Sequence, residues 1–153
     1  SSQLGLEGQV SYSESFGSSN LKVYATFTYN DYALKNDTGS TKLNIAGIPD
    51  YVAGFGAQFK RKGLCLDVNG RYVSEITTTL GEDYNSETDY LLLNAKAGYA
   101  FNKNKPWRYT VELGANNLLD QTYTSFYRLN ATGKIYNPMA GFNMYASLKV
   151  NFN

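Results

Sequence analysis

The stretch Met139-Ala-Gly-Phe-Asn-Met-Tyr-Ala-Ser-Leu-Lys-Val-Asn-Phe152 decides the fold. From Phe142 on, alternate positions are Phe142, Met144, Ala146, Leu148, Val150 and Phe152. The positions between them are Asn143, Tyr145, Ser147, Lys149 and Asn151. Successive strand side chains point to opposite faces, so this segment has one apolar and one polar face. The alternation runs for about twice the usual length of a globular strand. A tilted strand crossing a bilayer needs roughly 9–11 residues, and this segment supplies them.

The same design recurs upstream. Leu4 to Ser13 sets Leu4, Leu6, Gly8, Val10 and Tyr12 against Gly5, Glu7, Gln9, Ser11 and Ser13. Leu21 to Tyr32 sets Leu21, Val23, Ala25, Phe27 and Tyr29 against Lys22, Tyr24, Thr26, Thr28 and Asn30. Strands are expected likewise over Tyr51 to Lys60, Leu64 to Ser74, Tyr90 to Phe101 and Trp107 to Asn116. Pro49 precedes the strand from Tyr51 to Lys60, where a missing N–H is tolerated. Short turns at Gly17 to Asn20, Lys62-Gly63 and Asn102 to Pro106 alternate with long polar segments. Those segments run from about Lys35 to Ala46, Glu75 to Glu87 and Leu118 to Asn137. An outer-membrane barrel, with short periplasmic turns and long extracellular loops, has this asymmetry. Aromatics near the strand ends, among them Tyr12, Tyr29, Tyr51, Tyr72, Tyr90, Phe101, Trp107 and Phe152, read as interfacial girdles.

Composition narrows the classes. The 153 residues carry 14 Lys plus Arg against 13 Asp plus Glu, a net charge of +1 that offers no argument for nucleic acid. Histidine is absent, which removes the commonest general base and transition-metal ligand. The single cysteine, Cys65, excludes an internal disulfide and a cysteine-based metal centre; it reads as a small filler near a short turn. A chain with 14 Tyr and 14 Gly and no long apolar run points to β structure. A soluble antiparallel barrel or sandwich would share the alternation. The apolar face, however, is rich in small residues such as Ala25, Ala53, Ala95, Ala97, Ala115 and Ala146. A small soluble core needs large side chains there to reach native density, whereas lipid fills the space around small ones.

Several motifs then resemble one family. Leu113-Gly-Ala-Asn-Asn-Leu-Leu-Asp-Gln-Thr-Tyr123 is similar to the hallmark near the C-terminus of TonB-dependent outer-membrane receptors. Ile48-Pro49, Arg71-Tyr72-Val73-Ser74 and Tyr136-Asn137-Pro138 with the closing strand resemble further landmarks, in the family's order. The resemblance implies an all-β, antiparallel, up-and-down transmembrane β-barrel. Seven strands are read here as part of a barrel of about 22. Residues 1–153 are expected to form the C-terminal portion of that barrel domain, with the N-terminal plug domain absent. The implied location is the outer membrane of a Gram-negative bacterium. The implied role is import of a metal chelate (a siderophore carrying iron, for example), a cofactor or another scarce nutrient. Implied partners are outer-membrane lipid, the rest of the barrel and plug, TonB acting through that plug, and a surface lipoprotein; nucleic acid is not among them. The alternative is a small stand-alone or engineered outer-membrane barrel with a structural or passive-pore role.

No catalytic constellation, cofactor motif or metal site is legible, so the chain is read as a non-enzyme. Glu82, Asp83 and Glu87 read as a solvated acidic loop. Glu7, Lys22, Lys60, Asp67, Arg71, Lys96, Arg108, Glu112 and Lys149 lie at polar-face positions and are expected to line the lumen. The third long segment is the candidate ligand site. Tyr123, Phe126, Tyr127, Arg128 and Tyr136 place aromatics and a cation there, a set suited to bulky planar or anionic ligands. Interfacial aromatics packing on one another within the loop would give the same composition.

Overall fold

A computed structural model describes residues 2–35, 42–44, 47–77, 86–101, 106–130 and 133–152. Seven long strands form one antiparallel sheet: β1 (Ser2–Phe16), β2 (Ser19–Lys35), β4 (Tyr51–Arg61), β5 (Leu64–Val73), β8 (Tyr90–Phe101), β9 (Trp107–Asn116) and β12 (Asn143–Phe152). Each pairs with its neighbour in sequence among these seven, and β3 (Lys42–Asn44) extends the ladder of β2. The sheet is not closed: β1 and β12 are its edges. The first two strands run further than the alternation predicted, because Glu14 to Phe16 and Ala33 to Lys35 keep pairing after the apolar pattern has lapsed.

Register carries the two-faced design across the whole sheet. One apolar row runs Val10, Ala25, Phe55, Gly70, Leu93 and another runs Leu66, Ala97, Leu113, Ala146, each residue opposite the next. These side chains are not covered. Leu6 is 63 %, Leu113 59 % and Met144 71 % exposed, while only Val73 and Ile76 are buried hydrophobics among the described residues. An apolar face this continuous is a contact surface for a membrane or a partner. Aromatic pairs mark its two ends: Tyr29 with Tyr51 at 5.2 Å near the long loops, and Trp107 with Phe152 at 4.6 Å near the short turns. Tyr90 departs from the expected girdle. It lies opposite Val73 on the polar face, because Tyr90 to Leu93 is apolar at both parities and conceals which face is which.

The Arg61–Leu64 turn has Lys62 and Gly63 at φ 44° and 111°, the left-handed pair that suits a tight right-twisted hairpin. Residues 102–105 of the third short turn lie outside the described residues. The long segments contain hairpins of their own. β6 (Ile76–Thr77) pairs β7 (Ser86–Glu87), and β10 (Thr124–Asn130) pairs β11 (Gly133–Pro138). Pro138 ends β11, and the last strand starts at Asn143, one residue after the alternation begins. Backbone bonds tie the loop bases down. Asn30 N–H donates to the Asp50 carbonyl at 2.9 Å, and Ser74 N–H to that of Tyr51 at 3.0 Å.

Three rings lie over glycines directly opposite them: Tyr24 over Gly56, Phe55 over Gly70, and Tyr145 over Gly114. A Cβ on Gly56 would meet the Tyr24 ring at 2.6 Å. Gly56→Ala is therefore expected to destabilise by about 1–3 kcal/mol through overpacking. Adding Tyr24→Ser should recover most of that loss, since the two sites share one contact. Urea unfolding of the refolded protein checks it, and additive effects of the two substitutions would refute the packing argument.

Candidate functional site

The polar face carries a line of side-chain hydrogen bonds that crosses three strands. Gln58 Nε2 on β4 donates to Asp67 Oδ2 at 3.1 Å, and Asn69 Nδ2 donates to Asp67 Oδ1 at 3.2 Å, both on β5. Asn94 Nδ2 on β8 donates to Asn69 Oδ1 at 3.0 Å. The Asn94 amide oxygen then accepts the backbone N–H of Asn117 at 3.0 Å, so the line ends in the turn after β9. Period-2 alternation produces this arrangement: only polar-face residues at matching register can reach one another across a strand.

That turn is built by two residues in left-handed backbone, Asn117 at φ 51° and Asp120 at φ 49°. Asn and Asp tolerate this conformation better than other non-glycine residues, because their short side chains bond the nearby backbone. Asn117 is 3 % exposed. Its Nδ2 donates to the carbonyls of Gln121 (2.8 Å) and Ala140 (3.2 Å), and its Oδ1 accepts the Gln121 N–H at 2.9 Å. Asp120 Oδ1 accepts the Phe142 N–H at 2.8 Å and sits where a Cβ on residue 141 would fall, so Gly141 is required there. These bonds clamp the start of the 117–142 segment to its end. Met139 N–H, donating to the Tyr123 carbonyl at 3.0 Å, closes the base of the β10–β11 hairpin.

Tyr123 stands at that base, half-buried, with its ring centroid 4.8 Å from that of Tyr90 on β8. The strip linking loop base to sheet is thus aromatic where the line of amides stops. Phe126, Tyr127 and Arg128 lie on β10 and Tyr136 on β11; Tyr127 stands opposite Tyr136, and Arg128 opposite Ile135. Their side chains lie outside the described residues, as do Glu82 and Asp83. The structure thus brings Tyr127 and Tyr136 into register and joins Tyr123 to a residue the sequence argument had placed elsewhere.

All nine charged polar-face positions fall on the sheet. Asp67 stands opposite Lys96, Glu112 opposite Ser147, whose hydroxyl is 3.4 Å from the carboxylate, and Lys149 opposite Thr110. Arg108 faces Asn151, Lys22 faces Gln58, Lys60 faces Cys65, Arg71 faces Leu92, and Glu7 faces Thr28. They do not converge on one spot. Asn69, Asn94 and Asn117 escaped the sequence reading as a connected set. The hallmark motif pointed at Asn117, but its bonds to Gln121, Ala140 and Asn94 depend on tertiary register.

Residues 4–118, from β1 to the Asn117 turn, match the family described as TonB dependent receptor-like, beta-barrel. The chain belongs to that family. No curated protein matches it. The β-barrels of TonB-dependent receptors sit in the Gram-negative outer membrane and belong to transporters, not enzymes. The receptor match ends within the Asn117 clamp, and β12 continues the sheet beyond it through ten register pairs with β9.

Proposed function

We propose that this chain is the C-terminal portion of a receptor barrel that imports a metal chelate, such as an iron siderophore, or a cofactor or other scarce nutrient. The observation that carries this reading is the two-faced sheet, six of whose seven long strands fall in the family match. Its apolar face is exposed over seven strands, and its polar face leads to an aromatic-based loop. In this reading the apolar face meets lipid, and Lys22, Asp67, Lys96, Glu112 and the other polar-face charges line the lumen. The long loops face outward. Tyr90 and Tyr123, with the β10–β11 hairpin, form a wall of the ligand entrance. Energy comes from TonB acting on a plug inside the completed barrel, and the long loops leave room for a surface lipoprotein.

The test is uptake by cells carrying the full receptor, with a panel of chelated metals and cofactors as sole sources. Deleting the receptor should abolish growth on one of them. Collapsing the inner-membrane proton gradient should stop uptake. Uptake that persists without the gradient would replace active import with a passive pore. Within the entrance, Tyr123→Ala should weaken ligand binding roughly 3- to 10-fold, the worth of one aromatic contact, with the folded yield unchanged. Unchanged affinity would remove the Tyr90–Tyr123 pair from the site.

A further inference from the structure

Charge is segregated along the strands, although the chain as a whole is nearly neutral. In the five strand residues nearest the short turns, and in the turns themselves, the described cations are Lys22, Lys60, Arg61, Lys62, Arg108 and Lys149. Only Glu14 and Asp67 oppose them there. Both carboxylates already accept hydrogen bonds from neutral donors, Glu14 from Tyr12 Oη at 2.7 Å and Asp67 from Gln58 and Asn69.

Three of the cations meet at one place. The β1–β2 and β4–β5 turns stand side by side, because Ser19 pairs Arg61 and Asn20 pairs Lys60. Between them lies a notch of about 430 Å³, lined by Lys60, Arg61, Lys62, Ser18 and Asn20, among others. Lys60 belongs to the polar face. Arg61 belongs to the apolar face, one alternate position past Phe59 and opposite Leu64. Phe16, 49 % exposed, stands on the same side, opposite Ser19. The notch therefore opens where the apolar face gives way to charge, which is headgroup depth for a membrane strand.

We propose that this notch binds the phosphate of an anionic phospholipid in the leaflet at the short-turn end. Arg61 forks onto the phosphate oxygens, Lys62 adds a second cation from the turn, and Ser18 supplies a neutral donor, while Asn20 Nδ2 is engaged with Ser15 Oγ at 3.0 Å and only lines the notch. A free anion would use only the polar side of the turns. A lipid uses both, because its acyl chains lie along the apolar face beside Phe59 and Leu64 while its phosphate reaches Arg61. The proposal needs the membrane sheet alone and stands whether or not the receptor imports a chelate.

The test is native mass spectrometry of the full receptor in detergent, with phosphatidylglycerol or phosphatidylcholine added at equal concentration. Phosphatidylglycerol adducts should predominate in the wild type. Arg61→Gln with Lys62→Gln should weaken phosphatidylglycerol binding about thirtyfold, the effect of removing two cations from an anionic surface. Lys149→Gln, at the same end but away from the notch, should leave occupancy unchanged. Equal retention of the two lipids, or an unaltered double variant, would overturn the site. Displacement by millimolar inorganic phosphate would overturn the lipid as its occupant. Lys62→Gln alone, in an exposed turn that tolerates exchange, decides the matter if the double variant does not fold.

Discussion

A receptor barrel carrying Leu113→Arg is expected to fold into lipid vesicles in far lower yield than one carrying Ser147→Arg. The two positions are close in space but on opposite faces. Leu113, 59 % exposed, lies between Ala97 and Ala146 in the middle of the apolar face. A guanidinium there must enter hydrocarbon or drag water and headgroups inward, at a cost of about 2–4 kcal/mol near the midplane. Ser147 stands opposite Glu112 on the polar face and already approaches that carboxylate. An arginine there acquires a counter-charge. The methyl side chains of the alanines on either side of Leu113 offer no acceptor to which an arginine could turn, and the strand ladder uses the backbone carbonyls. Heat-modifiable gel mobility of the refolded barrel measures both yields. Equal yields, or the reverse order, would mean that the apolar face is not the one in lipid.

Asn117→Ala is expected to release the 117–142 segment while leaving the seven-stranded sheet in place. The substitution removes three side-chain bonds at a site that is 3 % exposed, stranding the Gln121 and Ala140 carbonyls and the Gln121 N–H. It also places alanine at a positive φ. Together these cost about 3–5 kcal/mol, with buried unpaired groups the larger share. The loss is local, because the clamp joins the two ends of one loop, and the turn's bonds to the sheet, from the Asn117 N–H to Asn94 Oδ1 and from the Leu118 N–H to the Leu93 carbonyl, use backbone donors that the substitution keeps. Limited proteolysis of the folded receptor should show new cleavage between residues 122 and 138. Asn117→Gly, which restores the backbone conformation but not the bonds, should fall between wild type and alanine. A wild-type digestion pattern for the alanine variant, or a glycine variant more labile than alanine, would refute the clamp.

The sheet was legible because its signal is local. Alternation over ten residues sets each strand, and a one-residue error would expose charge on the wrong face, so the pattern fixes which residues share a face; it leaves a shift of two open, and Phe55 opposite Gly70 or Leu113 opposite Ala146 is read from the structure. Strand ends were less legible, because Glu14 to Phe16 and Ala33 to Lys35 pair without an apolar pattern to mark them. The β10–β11 hairpin was missed for the same reason: Arg128 and Asn130 break the alternation, and its pairing is bulged between Thr124 and Tyr127. The loop aromatics could be proposed from composition, yet the partner of Tyr123 could not. Tyr90 sits in an apolar run whose two faces look alike in sequence. The Asn117 clamp draws on residues up to 23 positions away, a separation at which no local periodicity exists.

The rings over Gly56, Gly70 and Gly114 bear on how the strands find their partners. A strand entering a bilayer can mispair by two residues and still keep its apolar face outward, so hydrophobicity alone does not detect the error. The rings do. Moved by two, Tyr145 would meet Glu112 or Asn116 instead of Gly114, and Phe55 would meet Val68 or Tyr72 instead of Gly70. Each displacement replaces a vacancy with a side chain. Tyr24 is the weaker checkpoint, because slipping one way brings it to Gly54, which is also vacant. The β2–β4 seam is therefore the one most open to a two-residue slip, because an offset there leaves Phe55 opposite Gly70 on the next seam, and a barrel assembled with such an offset should trace the fault to Gly54 and Gly56.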